Sequence, residues 1–381
     1  MSPRRRALLA ALGTGLGPGT AWAQTQTQTQ TQTQTQTQAE EDRIEPGRTL
    51  RFPRDHGAHP GARIEWWYAT GWLQGDGGKL LGFQITFFRS RTGVAADLPG
   101  RFAPRQLLFA HAAVTDVAAR SHLHAQRIAR WSGDEALADG HAARADTRVA
   151  LGRWTLQRDA ASGAYSASLP APDAGIALRL QLTPSQPLLL QGEAGFSRKG
   201  PQLQQASHYY TQPQLAVRGS VRAGGPALAG RGWLDHEWSD ELLAPGAVGW
   251  DWIGINLADG GALTAFQLRR ADGSMLWAGG SHRPAGGAVR AFGPEEVVFT
   301  PQRRWASPAT GASYPVEWAI TTPAGRCTLR ALLDAQELDS RASAGTVYWE
   351  GLAELLAPGG ARLGLGYLEM TGRDKPIRLG G

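Results

Sequence analysis

The stretch Asp76-Gly77-Gly78-Lys79-Leu80-Leu81-Gly82-Phe83-Gln84 recurs 183 residues later as Asp259-Gly260-Gly261-Ala262-Leu263-Thr264-Ala265-Phe266-Gln267. Both copies follow the pattern D-G-G-x-L-x-x-F-Q, and an Asp-Gly turn between apolar segments is typical of a β-hairpin. An acidic, tryptophan-rich segment precedes each copy: Glu65-Trp66-Trp67-Tyr68 before the first and Trp250-Asp251-Trp252 before the second. This ordered match predicts a tandem duplication of one β-rich unit.

Short alternating or apolar segments, separated by Gly, Asp, Asn and Pro, make up most of the remaining chain. Such segments are typical of an all-β barrel or sandwich. We therefore predict an all-β protein with two related antiparallel domains, the first over residues 42–212 and the second over 213–378. Two such domains side by side leave a shared crevice, and domain interfaces are common ligand sites.

The first 23 residues have the three parts of a secretory signal peptide. Arg4-Arg5-Arg6 forms a basic head, a short apolar stretch follows, and Ala21-Trp22-Ala23 supplies a cleavage pattern. The adjacent arginines before two leucines favour twin-arginine export, with the general secretory route as the alternative. We expect a periplasmic protein whose residues 24–41 form a disordered linker, because the alternating Gln and Thr cannot bury a core.

Composition excludes several classes of protein. The formal net charge is +6, but the arginines of the mature part are scattered without a basic run, so nucleic-acid binding is not predicted. The single cysteine, Cys327, excludes an intramolecular disulfide and any multi-cysteine metal site. The chain has no P-loop and no glycine-rich dinucleotide motif, and we therefore expect no cofactor.

Most of the candidate chemistry lies between Trp233 and Glu241, where one imidazole and four carboxylates alternate with indoles. If this segment is a strand, Asp235 and Glu237 share one face, and His236 and Trp238 share the other. A carboxylic acid against indole rings has a raised pKa and can donate a proton near neutral pH. Indole faces also stabilise positive charge, which suits protonation of an alkene.

We predict four catalytic residues on this basis. Asp235 or Asp251 acts as the acid, His236 orients or deprotonates water, and Trp238 forms a wall. The predicted ligand-binding residues are further aromatic side chains and one histidine: Trp66, Trp67, Tyr68, His111, Tyr209, Tyr210, Trp250 and Trp252. The alternative is that these side chains fill two barrel cores and that the acids pair with arginines.

Two other catalytic classes are disfavoured. His236-Glu237-Trp238-Ser239-Asp240 has Asp where the zinc motif H-E-x-x-H requires its second histidine, and the segment is not predicted to be helical. We therefore predict no metal site. The serine-hydrolase motif G-x-S-x-G is absent, since Gly195-Phe196-Ser197-Arg198-Lys199-Gly200 has the wrong spacing.

Taken in combination, the motifs of the chain resemble those of the AttH-like secreted proteins, which belong with the carotenoid 1,2-hydratases. The residues that carry this resemblance span the chain: Glu65-Trp66-Trp67-Tyr68, Gly82-Phe83-Gln84, Phe87-Phe88-Arg89, Ala110-His111-Ala112, Gly195–Gly200, Tyr209-Tyr210, Trp233–Trp238, Gly249–Trp252 and Gly345–Gly351.

The resemblance implies two tandem lipocalin-like β-barrels. It also implies a hydrophobic ligand, isoprenoid or lipid-like, and a cofactor-independent hydro-lyase that adds water to a C=C bond. The His-x-Trp of the hydratase signature corresponds to His236 and Trp238. The alternative function is a non-catalytic carrier of hydrophobic ligands, associated with a membrane face or an exporter system.

Overall fold

The computed structural model describes residues 42–93, 105–131, 140–241 and 243–377. The predicted signal peptide and the whole of the predicted linker lie outside these residues. In the described part the backbone is mainly β-strand, and its helical segments are short 3-10 turns at Arg54–His56, Asp76–Gly78 and Pro172–Ala174. None of the described helical segments has the length and apolarity of a membrane-spanning helix.

In the described residues the first sheet contains thirteen strands. They are β1 (Ile64–Gln74), β2 (Leu80–Arg91), β3 (Gln106–Asp116), β4 (Ser121–Trp131), β5 (Gly140–Ala142), β6 (Arg148–Leu151), β7 (Trp154–Arg158), β8 (Tyr165–Ala171), β9 (Ile176–Thr183), β10 (Leu189–Leu190), β11 (Phe196–Arg198), β12 (Ala206–Ser220) and β13 (Leu228–Ser239). The main path runs β4-β3-β2-β1-β13-β12-β9-β8-β7-β6-β5, and β10 and β11 pair with β12. Since β4 and β5, the two ends of this path, contact each other, the sheet curls into a nearly closed barrel.

The second sheet contains ten strands in the described residues. Its main path runs β17-β16-β15-β14-β25-β24-β22-β21-β18, while β23 pairs with β24, and β19 and β20 form a separate hairpin. The strands after β13 are β14 (Gly249–Leu257), β15 (Ala262–Arg269), β16 (Met275–Arg283), β17 (Arg290–Phe292), β18 (Val298–Pro301), β19 (Arg304–Ala306), β20 (Ser313–Pro315), β21 (Glu317–Thr322), β22 (Gly325–Ala331), β23 (Glu337–Asp339), β24 (Val347–Leu356) and β25 (Arg362–Met370).

The sequence repeat corresponds to equivalent hairpins. Asp76–Gly78 connects β1 to β2, and the second Asp-Gly-Gly connects β14 to β15. In each sheet the first strand also pairs with the last one, β1 with β13 and β14 with β25. The same pairing of first and last strands in both halves agrees with the predicted duplication.

The division between the halves falls later than the predicted boundary at residues 212/213. Strand β12 continues through Pro213, and β13 still belongs to the first sheet, so the change of sheet comes between Ser239 and Gly249. The predicted break is a β-bulge, where the register shifts between Gln212 and Leu215. A bulge keeps the strand paired, although its sequence has the composition of a turn.

Three apolar clusters stabilise the fold. One fills the first barrel, one fills the second, and a third lies between them around Tyr68, Trp233, Trp252 and Tyr367. The central strands are therefore buried on both faces, and every residue of β24 is buried. The sheets approach closely at Gly82, where a Cβ atom would lie 2.7 Å from the hydroxyl of Tyr367.

Candidate functional site

A cavity of about 110 Å³ lies between the two barrels. Strands β1, β2, β3 and β13 form one wall, and β14, β15, β24 and β25 form the other. The lining is mostly apolar and aromatic, so the cavity favours a ligand with an apolar body. The aromatic side chains that line it are Trp66, Tyr68, Phe88, Phe109, Tyr209, Trp250, Trp252, Phe266 and Tyr348.

Strand alternation decides which side chains reach this cavity. On β13 Asp235 and Glu237 line it, and on β1 Trp66 and Tyr68 line it. Tyr68 lies directly opposite Asp235 in the β1–β13 pairing. Successive side chains point to opposite faces of a strand, so the residues between them point into the first barrel.

Asp235 is the main polar group of the first wall. It is 3 % exposed. Its carboxyl group accepts hydrogen bonds from the Tyr209 hydroxyl at 2.8 Å, the Thr211 hydroxyl at 2.6 Å and the Trp233 indole at 2.9 Å. Burial raises the pKa of Asp235 to about 7, against the opposing effect of these hydrogen bonds. The carboxyl group can therefore hold a proton near neutral pH.

The second wall carries two further acids, Glu350 on β24 and Glu369 on β25. They lie directly opposite each other, where Cβ atoms are about 4.5–5.5 Å apart and like charges are destabilising. Burial raises the pKa of Glu369 to about 7, although the Trp250 indole donates a hydrogen bond to it at 2.9 Å. Burial, and then the charge of Glu369, raise the pKa of Glu350 well above its ordinary value.

Lys199 is a cationic side chain in the same lining. Its ammonium group lies 3.0 Å from a carboxylate oxygen of Glu237. It also lies 4.8 Å from the ring centre of Tyr209 and 4.3 Å from that of Phe266. One charge of the first wall is thereby paired, while Asp235 has no ion-pair partner among the described residues.

Seven of the predicted site residues line the cavity. They are Asp235 and six of the predicted ligand-binding residues: Trp66, Tyr68, His111, Tyr209, Trp250 and Trp252. His111 bridges the two halves, since its ring nitrogens lie 2.8 Å from the Tyr348 hydroxyl and 2.9 Å from the Ser343 hydroxyl. Burial lowers the pKa of His111 to about 3, so its ring is neutral.

The structure does not bring His236 and Trp238 to the cavity, which corrects the predicted catalytic set. Both side chains point into the first barrel, as do the predicted ligand residues Trp67 and Tyr210, and all four are fully buried. The predicted alternation along β13 is present, but one face of the strand lines the cavity and the other packs inside the first barrel. Asp235 and His236 are neighbours in sequence and lie on opposite sides of the sheet.

His236 belongs to a hydrogen-bonded network centred on Glu65. One oxygen of Glu65 lies 2.9 Å from Nε2 of His236 and 2.8 Å from Nδ1 of His59. The other oxygen accepts a hydrogen bond from Arg89 at 2.8 Å. Burial alone would raise the pKa of Glu65, but the charge of Arg89 and the bonds from the histidines hold it well below its ordinary value. Glu65 is therefore a paired structural carboxylate.

The same network contains a set of atoms with the spacing of metal ligands. The ligand atoms of His59, Glu65 and His236 lie within 4.8 Å of one another. Each of them already has a hydrogen-bond partner, and the guanidinium group of Arg89 lies beside the same carboxylate. A cation there would face the charge of Arg89, so the arrangement suits an ion-pair network better than a metal centre.

Asp251 is a second correction to the predicted catalytic set. Its side chain points into the second barrel, on the face of β14 opposite to Trp250 and Trp252. One of its oxygens lies 2.9 Å from Arg269, and the other accepts a hydrogen bond from Arg373 at 2.7 Å. Asp251 is thus paired with two arginines. This is the arrangement that the alternative interpretation, in which the acids pair with arginines, predicts.

Sequence reasoning missed five ionisable residues of the lining: Lys199, Glu237, Glu241, Glu350 and Glu369. Glu237 was part of the acidic run, and its alternation with His236 was the available signal. Glu350 lies in one of the motifs that carry the family resemblance, but its proximity to Glu369 has no local signal, because it arises from the pairing of β24 with β25.

Comparison with known proteins gives a consistent family. The model of the AttH-like family matches residues 43–373. The crystal structure of a candidate AttH protein from Nitrosomonas europaea is 47% identical, with a TM-score of 0.79, and covers 87% of this chain and 99% of that one. Kievitone hydratase from Nectria haematococca shares the fold at 13% identity and a TM-score of 0.65, covering 85% of this chain and 93% of that one. No curated protein matches the chain.

These findings confirm the predicted fold, an all-β chain with two tandem lipocalin-like β-barrels. They also confirm the resemblance that the sequence motifs indicate.

The Glu65 network predicts a large loss of stability for Glu65→Gln. The substitution leaves the buried guanidinium group of Arg89 without its counter-charge, and breaking such a pair costs about 3–5 kcal/mol. We expect a clearly lower urea midpoint at an unchanged m-value. Glu45→Gln is the control, because its ion pair with Arg43 is exposed. A midpoint equal to that of the unsubstituted protein would contradict the structural role.

The Glu350–Glu369 pair predicts that Glu350→Gln, unlike Glu65→Gln, stabilises the protein. A carboxyl group with a raised pKa in the folded state contributes stability at low pH and loses it as pH rises through the folded pKa. Glutamine mimics the protonated form permanently. We therefore expect the variant to be more stable than the unsubstituted protein between about pH 5 and about pH 8, by a margin that grows as pH rises.

Thermal unfolding across this pH range measures the effect. Glu354→Gln, on the same strand, is the matched control. Burial would raise the pKa of Glu354, but Arg330 and Arg362 lower it, so its loss should destabilise the protein at pH 8. A change in stability of the same sign in both variants would refute the raised pKa of Glu350.

Proposed function

The chain belongs to the AttH-like family, and from that premise we propose that it binds an unsaturated isoprenoid or lipid-like molecule in the cavity between its barrels and adds water to a C=C bond. The observation that carries the proposal is Asp235. It is a buried carboxyl group without an ion-pair partner among the described residues, on the wall of an aromatic cavity, and its pKa is raised to about 7. Such a group is a general acid at neutral pH.

The proposed reaction begins with proton transfer from Asp235 to one carbon of the double bond. The π electrons form the new C–H bond, and the other carbon becomes a carbocation. The indole of Trp252 lines the same cavity, and its nitrogen lies 3.3 Å from the Tyr209 hydroxyl that bonds Asp235. An aromatic wall at this position stabilises the developing charge.

Water then completes the addition. Its oxygen forms the C–O bond, and the proton that it loses returns to the carboxylate of Asp235, so the enzyme recovers its starting state. The hydrogen bonds from Tyr209, Thr211 and Trp233 hold the carboxylate while it is ionised. His236 has no part in this sequence, because Glu65 and Tyr210 occupy both of its ring nitrogens.

The size of the cavity supports a reaction at the end of a ligand. A space of about 110 Å³ holds a small branched apolar group beside Asp235. The proposal therefore favours substrates with a terminal double bond.

Asp235→Asn tests the acid. We expect turnover to fall by about 10²–10⁴-fold, the usual contribution of a general acid, while ligand binding survives. The assay incubates the protein with acyclic isoprenoids, from monoterpenes to carotenoids, in ¹⁸O-labelled water and detects labelled alcohols by mass spectrometry. In the unsubstituted protein the rate should decline as pH rises above about 7, because the acid loses its proton.

Asp240→Asn is the control, since Asp240 is an exposed carboxylate at the end of β13. Equal turnover by Asp235→Asn and the unsubstituted protein would remove Asp235 from the mechanism. Binding of every isoprenoid without labelled product would instead identify a carrier, the non-catalytic alternative.

We further propose that the protein acts in the periplasm after removal of residues 1–23. The basic head and the Ala21-Trp22-Ala23 pattern support this proposal. We expect the periplasmic fraction of a bacterium with both export routes to contain a chain that begins at Gln24, as measured by intact mass. Replacing Arg5 and Arg6 by lysine should abolish export by the twin-arginine route. A cytoplasmic chain that retains residues 1–23 would disprove the export proposal.

A further inference from the structure

The acids of the second wall have no part in the proposed hydration, and their arrangement points to a separate use. Glu350 is 1 % exposed and lies directly opposite Glu369 in the β24–β25 pairing. Two carboxyl groups at such positions repel each other when ionised. A protein that keeps the pair gives up stability, which is common at functional sites.

Two buried polar atoms beside the pair have no well-formed hydrogen bond among the described residues, although their side chains lie close enough to interact with each other. They are Oε1 of Glu350 and the hydroxyl of Tyr68. Both side chains line the cavity, and Tyr68 is 6 % exposed. Buried polar groups are nearly always hydrogen-bonded, so a Tyr68–Glu350 contact without a well-formed hydrogen bond leaves capacity at the cavity wall for a polar group of a ligand.

Aromatic rings surround the pair. The Trp250 indole donates its N–H to Glu369, and Trp252 lies directly opposite Glu369 on the neighbouring strand. The rings of Tyr68 and Trp252 meet edge to face at 5.3 Å. Aromatic rings beside a carboxylate are the combination that recognises quaternary and alkyl ammonium groups.

The charge balance of the cavity agrees with a cationic ligand. Among the described lining residues five are acidic and one is a lysine; the acids are Asp235, Glu237, Glu241, Glu350 and Glu369. The lysine, Lys199, is engaged by Glu237 and by two aromatic rings. The first wall thus already holds the ammonium group of Lys199 between aromatic rings and a carboxylate. The second wall has the same kinds of side chain, and no lysine or arginine of the described lining lies against them.

We propose that Glu350 and Glu369, with Tyr68, Trp250 and Trp252, form a subsite for an organic cation, namely an alkylammonium group on a small apolar molecule. The carboxylate of Glu369 supplies the counter-charge, the neutral carboxyl group of Glu350 and the Tyr68 hydroxyl supply polar contacts, and the rings contact the alkyl groups. Two glutamate side chains offer at most about four oxygen ligands, fewer than the roughly six to eight that Ca²⁺ takes. The subsite is independent of the hydration, although an ammonium ion resembles the carbocation in charge.

Choline and its neutral isostere 3,3-dimethylbutan-1-ol test the subsite in the full-length mature protein. The two probes have the same shape and differ in charge. By calorimetry at about pH 8, where Glu369 is mostly ionised, we expect choline to bind at least about tenfold more tightly, since a desolvated cation–π contact is worth about 2 kcal/mol.

Glu369→Gln should reduce this preference to less than about threefold, because it removes the counter-charge, whereas Glu350→Gln should retain most of the preference, because glutamine replaces a neutral carboxyl group. Glu296→Gln is the control, since Glu296 is exposed and pairs with Arg290 outside the cavity. Thermal unfolding verifies that each variant is folded.

Three outcomes would overturn the subsite: equal binding of the two probes, an undiminished preference in Glu369→Gln, or displacement of choline by equimolar Ca²⁺. None of them affects the hydration, which depends on Asp235 and is measured by labelled product. Conversely, loss of turnover in Asp235→Asn with choline binding intact would show that the subsite does not depend on the hydration.

Discussion

The buried carboxylate of Glu65 is the constraint on which the arrangement of the site depends. It has no contact with bulk water, so neighbouring chain segments must supply its hydrogen-bond donors. Arg89 comes from β2, His236 comes from β13, and His59 comes from the segment before β1. These contacts are compatible with a single register of β1 between its two neighbours.

That register determines the opposite face as well. Because side chains alternate, an inward Glu65 requires an outward Trp66, and an inward His236 requires outward Asp235 and Glu237. The cavity wall is therefore a consequence of the network behind it. A shift of one residue would exchange the acids of the cavity for the histidine of the core, at the cost of an unpaired buried charge.

The buried acids of the protein fall into two groups, those paired with arginines and those without such a partner among the described residues. Glu65 and Asp251 are matched by arginines, and their charge contributes to the packing of the two barrels. Asp235 and the Glu350–Glu369 pair have no arginine partner among the described residues, and burial raises their pKa values. Acids of the first kind stabilise the fold, whereas acids of the second kind keep a proton available at the wall of an aromatic cavity.

The sequence by itself determined the duplicated hairpins, the all-β class, and the alternation that separates Asp235 from His236. Each of these depends on spacing along one strand or turn. The tertiary structure alone decided which face of β13 meets the cavity, because central strands buried on both sides have no contrast between polar and apolar faces. It also decided that Arg373 reaches Asp251 and that Glu350 lies opposite Glu369. Those contacts join segments that come together only when the sheets close, and no local pattern records them.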